Sequence, residues 1–200
     1  MQMTALRTLA LTLGSVAVAT FATVANAFPI ASSGEGASVL VGGTSDIVAT
    51  YQGNSASFSN DLYLMWDGAA GKPGDDGNLS NDVFIFNNHS SAVGSTVNLG
   101  AFAPGTELEF RLHVNNTDDD FFTGAASRNP DSHAHARVQA NWEPNTTLVS
   151  FEDLFNGPFD FNDLSFSFTN TVSSVPEPAT LALFGLGLLG LASAKRKNKR

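Results

Sequence analysis

Hydrophobic and polar residues alternate in short stretches along the middle of the chain. The clearest is Leu108-Glu109-Phe110-Arg111-Leu112-His113-Val114, where positions 108, 110, 112 and 114 share one face. Leu164, Phe166 and Phe168 repeat the pattern, with Ser165 and Ser167 opposite. Similar runs predict strands at Ser38–Val41, Asp46–Tyr51, Ser57–Met65, Val83–Phe86, Thr96–Leu99, Glu107–Val114, His135–Ala140, Thr147–Phe151 and Leu164–Thr169. No segment between them sustains a helical apolar stripe for three turns. The connections, such as Gly68–Asn81 and Asn115–Asp120, are rich in turn-forming residues. This pattern predicts an all-β fold: one antiparallel β-sandwich, jelly-roll-like, over residues 36–171. Phe supplies much of its core volume, with 16 Phe against 2 Tyr.

The pattern changes at both ends. Residues 1–27 are nearly all apolar or small, with Arg7 the only charge. They read as a signal peptide, with Ala25 and Ala27 framing a small-x-small cleavage site for signal peptidase. Residues 28–35 are expected to be a linker. After the domain, residues 172–178 form a second linker holding Pro176-Glu177-Pro178. Residues 179–194 are an apolar run of 16 residues. As a helix it would be roughly 24 Å long, against a hydrocarbon core of about 30 Å. The tail 195–200 carries five cations, which place it on the cytoplasmic side. The reading is a transmembrane sorting helix with a basic tail.

The order Val175-Pro176-Glu177-Pro178-Ala179-Thr180, Leu/Gly-rich span and Lys/Arg tail resembles the PEP-CTERM protein-sorting signal of Gram-negative bacteria. The resemblance implies export, transient retention in the inner membrane and recognition of Pro176, Glu177 and Pro178 by an exosortase. The product would then lie at the outer surface or in the extracellular polysaccharide matrix.

Charge sharpens the picture of the middle. Between the two ends stand 18 acids and only four bases: Lys72, Arg111, Arg128 and Arg137. An acidic domain does not suit the phosphates of a nucleic acid. The absence of Cys excludes disulfides, thiolate metal sites and cysteine nucleophiles. An electrostatic partner should be a cation.

The acids concentrate in the stretch 148–168. Glu152, Asp153, Asp160 and Asp163 fall within twelve residues, Asn162 adds an amide oxygen, and no Lys or Arg occurs from 138 to 194. The apolar phase also switches here, from odd positions (Phe159, Phe161) to even ones (Leu164, Phe166, Phe168). A strand cannot change its buried face without an extra residue or a turn. The acids sit at both irregularities, on either side of Gly157-Pro158, so a hairpin would bring them together. Such carboxylates either splay into water or take up a hard cation. Ca²⁺, with its six to eight flexible oxygen ligands, suits them better than Mg²⁺ or Zn²⁺.

Phe151-Glu152-Asp153-Leu154 and Asp160-Phe161-Asn162-Asp163 resemble the closing motif of the family called domain of unknown function 4114, with Phe159 a departure from its polar turn. Asn129–Ala136, Tyr51-Gln52-Gly53 and Pro104–Phe110 are similar to its earlier parts. The resemblance favours a calcium-stabilised extracellular module and implies no chemistry.

Other features carry alternatives. Asp131 would be a further oxygen ligand. His133 and His135 would either share a metal or leave one His hydrogen-bonded beside the acidic loop. Asp118-Asp119-Asp120 and Asp75-Asp76-Gly77-Asn78 read as solvated turns or as a second calcium site. Trp66 and Trp142, if they stack on sugars, make the domain a carbohydrate-binding module for matrix polysaccharide; otherwise they pack. A glycoside hydrolase would need Glu152 and Asp163 as a carboxyl pair about 5–9.5 Å apart in a cleft. The leading expectation is a non-enzymatic surface or matrix protein with bound Ca²⁺.

Overall fold

The computed structural model describes residues 27–174. The expected signal peptide and sorting helix lie outside them. Among the described residues there is no α-helix, and no helix is long and apolar enough to cross a membrane. Fourteen strands follow in chain order: β1 Val39–Val41, β2 Ile47–Asn54, β3 Asn60–Leu64, β4 Trp66–Asp67, β5 Lys72–Pro73, β6 Val83–Asn87, β7 Thr96–Gly100, β8 Glu107–Leu108, β9 Phe110–Val114, β10 Asp119–Phe122, β11 Ala136–Glu143, β12 Thr146–Phe151, β13 Leu164–Thr169 and β14 Thr171–Ser173.

Every pairing is antiparallel. A five-stranded sheet runs β11-β12-β13-β2-β7 and a four-stranded one β10-β9-β3-β6. A three-stranded sheet, β14-β1-β8, and the ribbon β4-β5 complete the fold. The two larger sheets face each other through aromatic rings. Phe110 of β9 stacks on Phe168 of β13 at 4.1 Å between centroids, and Phe86 of β6 stacks on Phe166 of β13 at 6.0 Å. The alternation in β2 explains its place: Ile47, Ala49 and Tyr51 point into this core while the residues between are half-exposed. Burying such side chains is worth roughly 1.5–3 kcal/mol each.

Three departures from the sequence pattern are physical. The run 107–114 is not one strand. Glu107–Leu108 pairs with β1, and Phe110–Val114 pairs with β3 and β10, so the chain turns a corner between sheets at Glu109. Gln52 is an extra residue in β2, because Gly53 pairs with Ser165 while Tyr51 pairs with Phe166. Gly53 takes φ +134°, and a Cβ there would stand 2.6 Å from the Phe28 Cβ. The bulge therefore makes room for the segment expected to be a linker. That segment, 28–35, lies on the domain: Ala31 is buried, its N–H donates to Ser150 Oγ, and Glu35 bridges to Arg137.

Candidate metal centre

β12 and β13 form a hairpin whose last pair is Phe151 with Leu164. Residues 152–163 are its loop, so Glu152 and Asp163 leave the sheet side by side. The phase switch expected near Asn162 is made by backbone rotation: Phe159 and Phe161 take φ of 52° and 58°, the left-handed region that bulky residues rarely enter. Phe161 is nonetheless fully buried, with the Arg137 guanidinium 4.1 Å above its ring. The β2–β3 connection clamps the loop's far end. Ser55 and Ala56 N–H groups donate to the Asp163 carbonyl, and Ser55 Oγ donates to the carbonyl and Oδ1 of Asn162.

Three acids converge. Glu152, Asp153 and Asp163 each present a carboxylate oxygen, all within 4.8 Å of one another. Oxygens sharing one Ca²⁺ at roughly 2.3–2.6 Å can stand up to about 5 Å apart. The Asp153 N–H donates to Asp163 Oδ2 at 2.9 Å, and Asn60 Nδ2 on β3 donates to Asp153 Oδ2 at 2.8 Å. Glu152 is 0 % exposed, yet neither of its carboxylate oxygens has a hydrogen-bond partner. An unpaired buried polar group is costly, and a charged one more so. Burial pushes the Glu152 carboxyl up to about 7, helped by the charge and close approach of the Asp163 carboxyl and by the charge of Asp160, and opposed by the nearby Leu154 N–H. Burial likewise raises Asp153 to about 6, against the hydrogen bond from Asn60 and with the charge of Asp163.

The arginines that could neutralise this cluster are engaged elsewhere. Arg111 binds Asp82 at 2.9 Å and Asp120 at 2.7 Å. Arg128 binds Glu107 and Glu109, and Arg137 lies 3.6 Å from Glu35. Among the described residues, no ion pair reaches Glu152, Asp153 or Asp163.

The other expected donors lie apart from this trio. Asp160 is exposed and accepts from Asn162 Nδ2 at 2.6 Å, so these two form a rim. Asp131 is engaged by other groups. Its Oδ2 accepts from His135 Nε2 and the Asn156 N–H, each at 2.9 Å, and its Oδ1 accepts from the His133 N–H. Burial opposes ionisation of Asp131, but these bonds outweigh it and lower the carboxyl to about 2.

His133 and His135 do not converge as a metal pair. They precede β11 rather than lying on it. His135 is buried, stacked on Phe121 at 3.8 Å, with Nδ1 3.0 Å from the Glu152 carbonyl; His133 stacks on Phe159. The Glu152 N–H in turn donates to the His135 carbonyl. His135 therefore fixes the backbone that aims Glu152 inward.

Asp119 and Asp120 begin β10, and Asp120 is taken by Arg111 and His113. Asp75 and Asp76 close Asx turns onto Gly77 and Asn78. Trp66 meets Phe102 edge-to-face against the core, and Trp142 ends half-buried on β11. They belong to different sheets. Asn60 is the residue that sequence reading missed. Its signal was present: it shares the buried phase of Leu62 and Leu64, where a polar side chain needs a partner.

The C-terminal end matches the PEP-CTERM protein-sorting motif over residues 174–197. The chain thus carries the signal of an exported, membrane-processed protein and of an exosortase substrate. No curated protein and no solved structure matches the chain.

Proposed function

We propose that the protein is a non-enzymatic component of the outer surface or extracellular matrix of a Gram-negative bacterium, built on a jelly-roll-like β-sandwich that holds a structural Ca²⁺ in the 152–163 hairpin. One observation carries the metal reading: the fully buried, unpartnered carboxylate of Glu152 beside Asp153 and Asp163. The three carboxylates supply the inner oxygens, and Asp160 and Asn162 stand at the rim. Ca²⁺ suits this set because its shell is large, flexible and all oxygen. Signal peptidase would cut after Ala27. The run 179–194 would hold the chain in the inner membrane until exosortase acts at Pro176-Glu177-Pro178. The burial of Glu152 keeps it from touching a polymer, which favours a structural ion over hydrolysis of polysaccharide.

The test is calcium titration of the metal-free full chain in detergent, followed by calorimetry and thermal unfolding. At 100 times Kd, the ion should stabilise by about 2.7 kcal/mol. For a domain of this size that raises Tm by roughly 5–10 °C. Glu152→Gln and Asp163→Asn should abolish the response. A wild-type chain that takes up no Ca²⁺ would refute the metal reading.

A further inference from the structure

The hairpin loop belongs to the five-stranded sheet, but the side chain that reaches it from outside does not. Asn60 opens β3, in the four-stranded sheet. Its backbone is held by Asn88: the Asn60 N–H donates to Asn88 Oδ1, and the Asn60 carbonyl accepts from the Asn88 N–H. It is 0 % exposed. Its Nδ2 donates to Asp153 Oδ2 at 2.8 Å and, at a longer 3.4 Å, to the Phe58 carbonyl, while its Oδ1 has no partner. Buried oxygens without a partner, both carboxylate oxygens of Glu152 and Oδ1 of Asn60, thus stand near the same aspartate, one residue from each sheet.

An amide nitrogen and oxygen are close to isosteric, and which one faces a neighbour follows from what the neighbour needs. A bare carboxylate needs a donor, so Nδ2 faces Asp153. A cation on that carboxylate reverses the need, because an N–H pointed at the site competes with the ion for the same lone pairs. Neighbouring oxygens on one Ca²⁺ stand about 3 Å apart, given metal–oxygen distances of roughly 2.3–2.6 Å. The observed 2.8 Å matches that spacing without movement of the backbone.

We propose that Asn60 is a ligand of the cation: when the ion binds, its carboxamide turns over, Oδ1 joins Glu152, Asp153 and Asp163, and the site becomes a cross-link between the two facing sheets. This rests on the calcium reading above and adds a donor that the acidic hairpin lacks. A neutral amide oxygen fills coordination without adding to the repulsion among three carboxylates. It also makes ion binding report on the packing of β3 against the β12–β13 hairpin.

The side-chain amide signal of Asn60 in the full chain in detergent tests this directly, by ¹⁵N NMR with and without Ca²⁺. The expected result is a large shift of the Asn60 NH₂ pair at one equivalent of Ca²⁺, with loss of its bond to Asp153. Calcium binding detected by calorimetry with an unmoved Asn60 signal would overturn the ligand role and leave the acidic site standing. No calcium binding by the wild-type chain would overturn both. Variants provide a second arm. Asn60→Ala should weaken Ca²⁺ binding about tenfold or more, and Asn60→Asp should restore it. Undiminished Ca²⁺ binding by a folded Asn60→Ala would overturn the ligand role.

Discussion

Two acids that follow one another, Glu152 and Asp153, are held where water does not reach. Their folded-state values, about 7 and about 6, lie above those of an unfolded chain. The native state therefore binds more protons than the unfolded state between about pH 4 and pH 7. Without metal, stability is greatest at the acid side of that window and falls as pH rises through the folded values. Melts in a chelator should show Tm dropping by several degrees from pH 5 to pH 8. Saturating Ca²⁺ should flatten or reverse that slope, because the ion binds the ionised carboxylates. Arg111 obeys the opposite logic. It is buried with Asp82 and Asp120 as its partners, and the Asp82 side chain is only 2 % exposed. Arg111→Ala leaves a buried charge unpaired and should cost roughly 3–5 kcal/mol in chemical denaturation. The acid cluster was legible because the chain around it has no cation. Asn60 and the partners of Arg111 were not, because each is set by strands far apart in sequence.

The hairpin shows what an element can reveal before it is seen. The parity switch from Phe161 to Leu164 announced an irregularity, and the loop contains it. How the switch is made was not announced, since nothing in a Phe predicts φ above zero. Gly157 fits the same loop for a different reason. Its φ is not left-handed, but a Cβ there would stand 2.5 Å from Glu152 Oε1 and 2.7 Å from the Leu154 carbonyl. Gly157→Ala must push the Glu152 carboxylate or the loop aside. It should lower Tm, at a cost of about 1–3 kcal/mol, and weaken the calcium response, read by the same titration. Elements missed in the sequence, β4, β5, β10 and β14, are all short. β10 begins in the Asp-rich turn and stands because Arg111 and His113 on β9 meet Asp120 across the pair. Such a strand owes its existence to its neighbour rather than to its own pattern.

At the scale of the molecule, the long alternating strands and their Phe-filled core were readable, because burial on a pleated sheet imposes a period of two. The limits of the domain were less so. Residues 171–174 carry little apolar signal, yet β14 pairs with β1 through Val39–Ser173, Leu40–Val172 and Val41–Thr171. Ser174 extends this contact: its N–H donates to the Ser38 carbonyl, and its Oγ accepts from the Ser38 N–H at 2.8 Å. The sorting motif also begins at Ser174. Fold and address therefore abut, and removal of everything after Ser174 takes away no backbone bond among residues 27–174. A chain ending at Ser174 should keep the Tm of the full-length protein. A chain ending at Asn170 loses one of the two partners of β1 and the bond from Thr171 Oγ1 to the Phe168 carbonyl, and bares one edge of β1. Its Tm should fall by several degrees, with faster proteolysis near β1. Equal melting of the two truncated chains would show that β14 belongs to the tail and not to the domain. A drop confined to the shorter one would place the last structural residue where the sorting signal starts, so that processing could release the tail without loosening the fold.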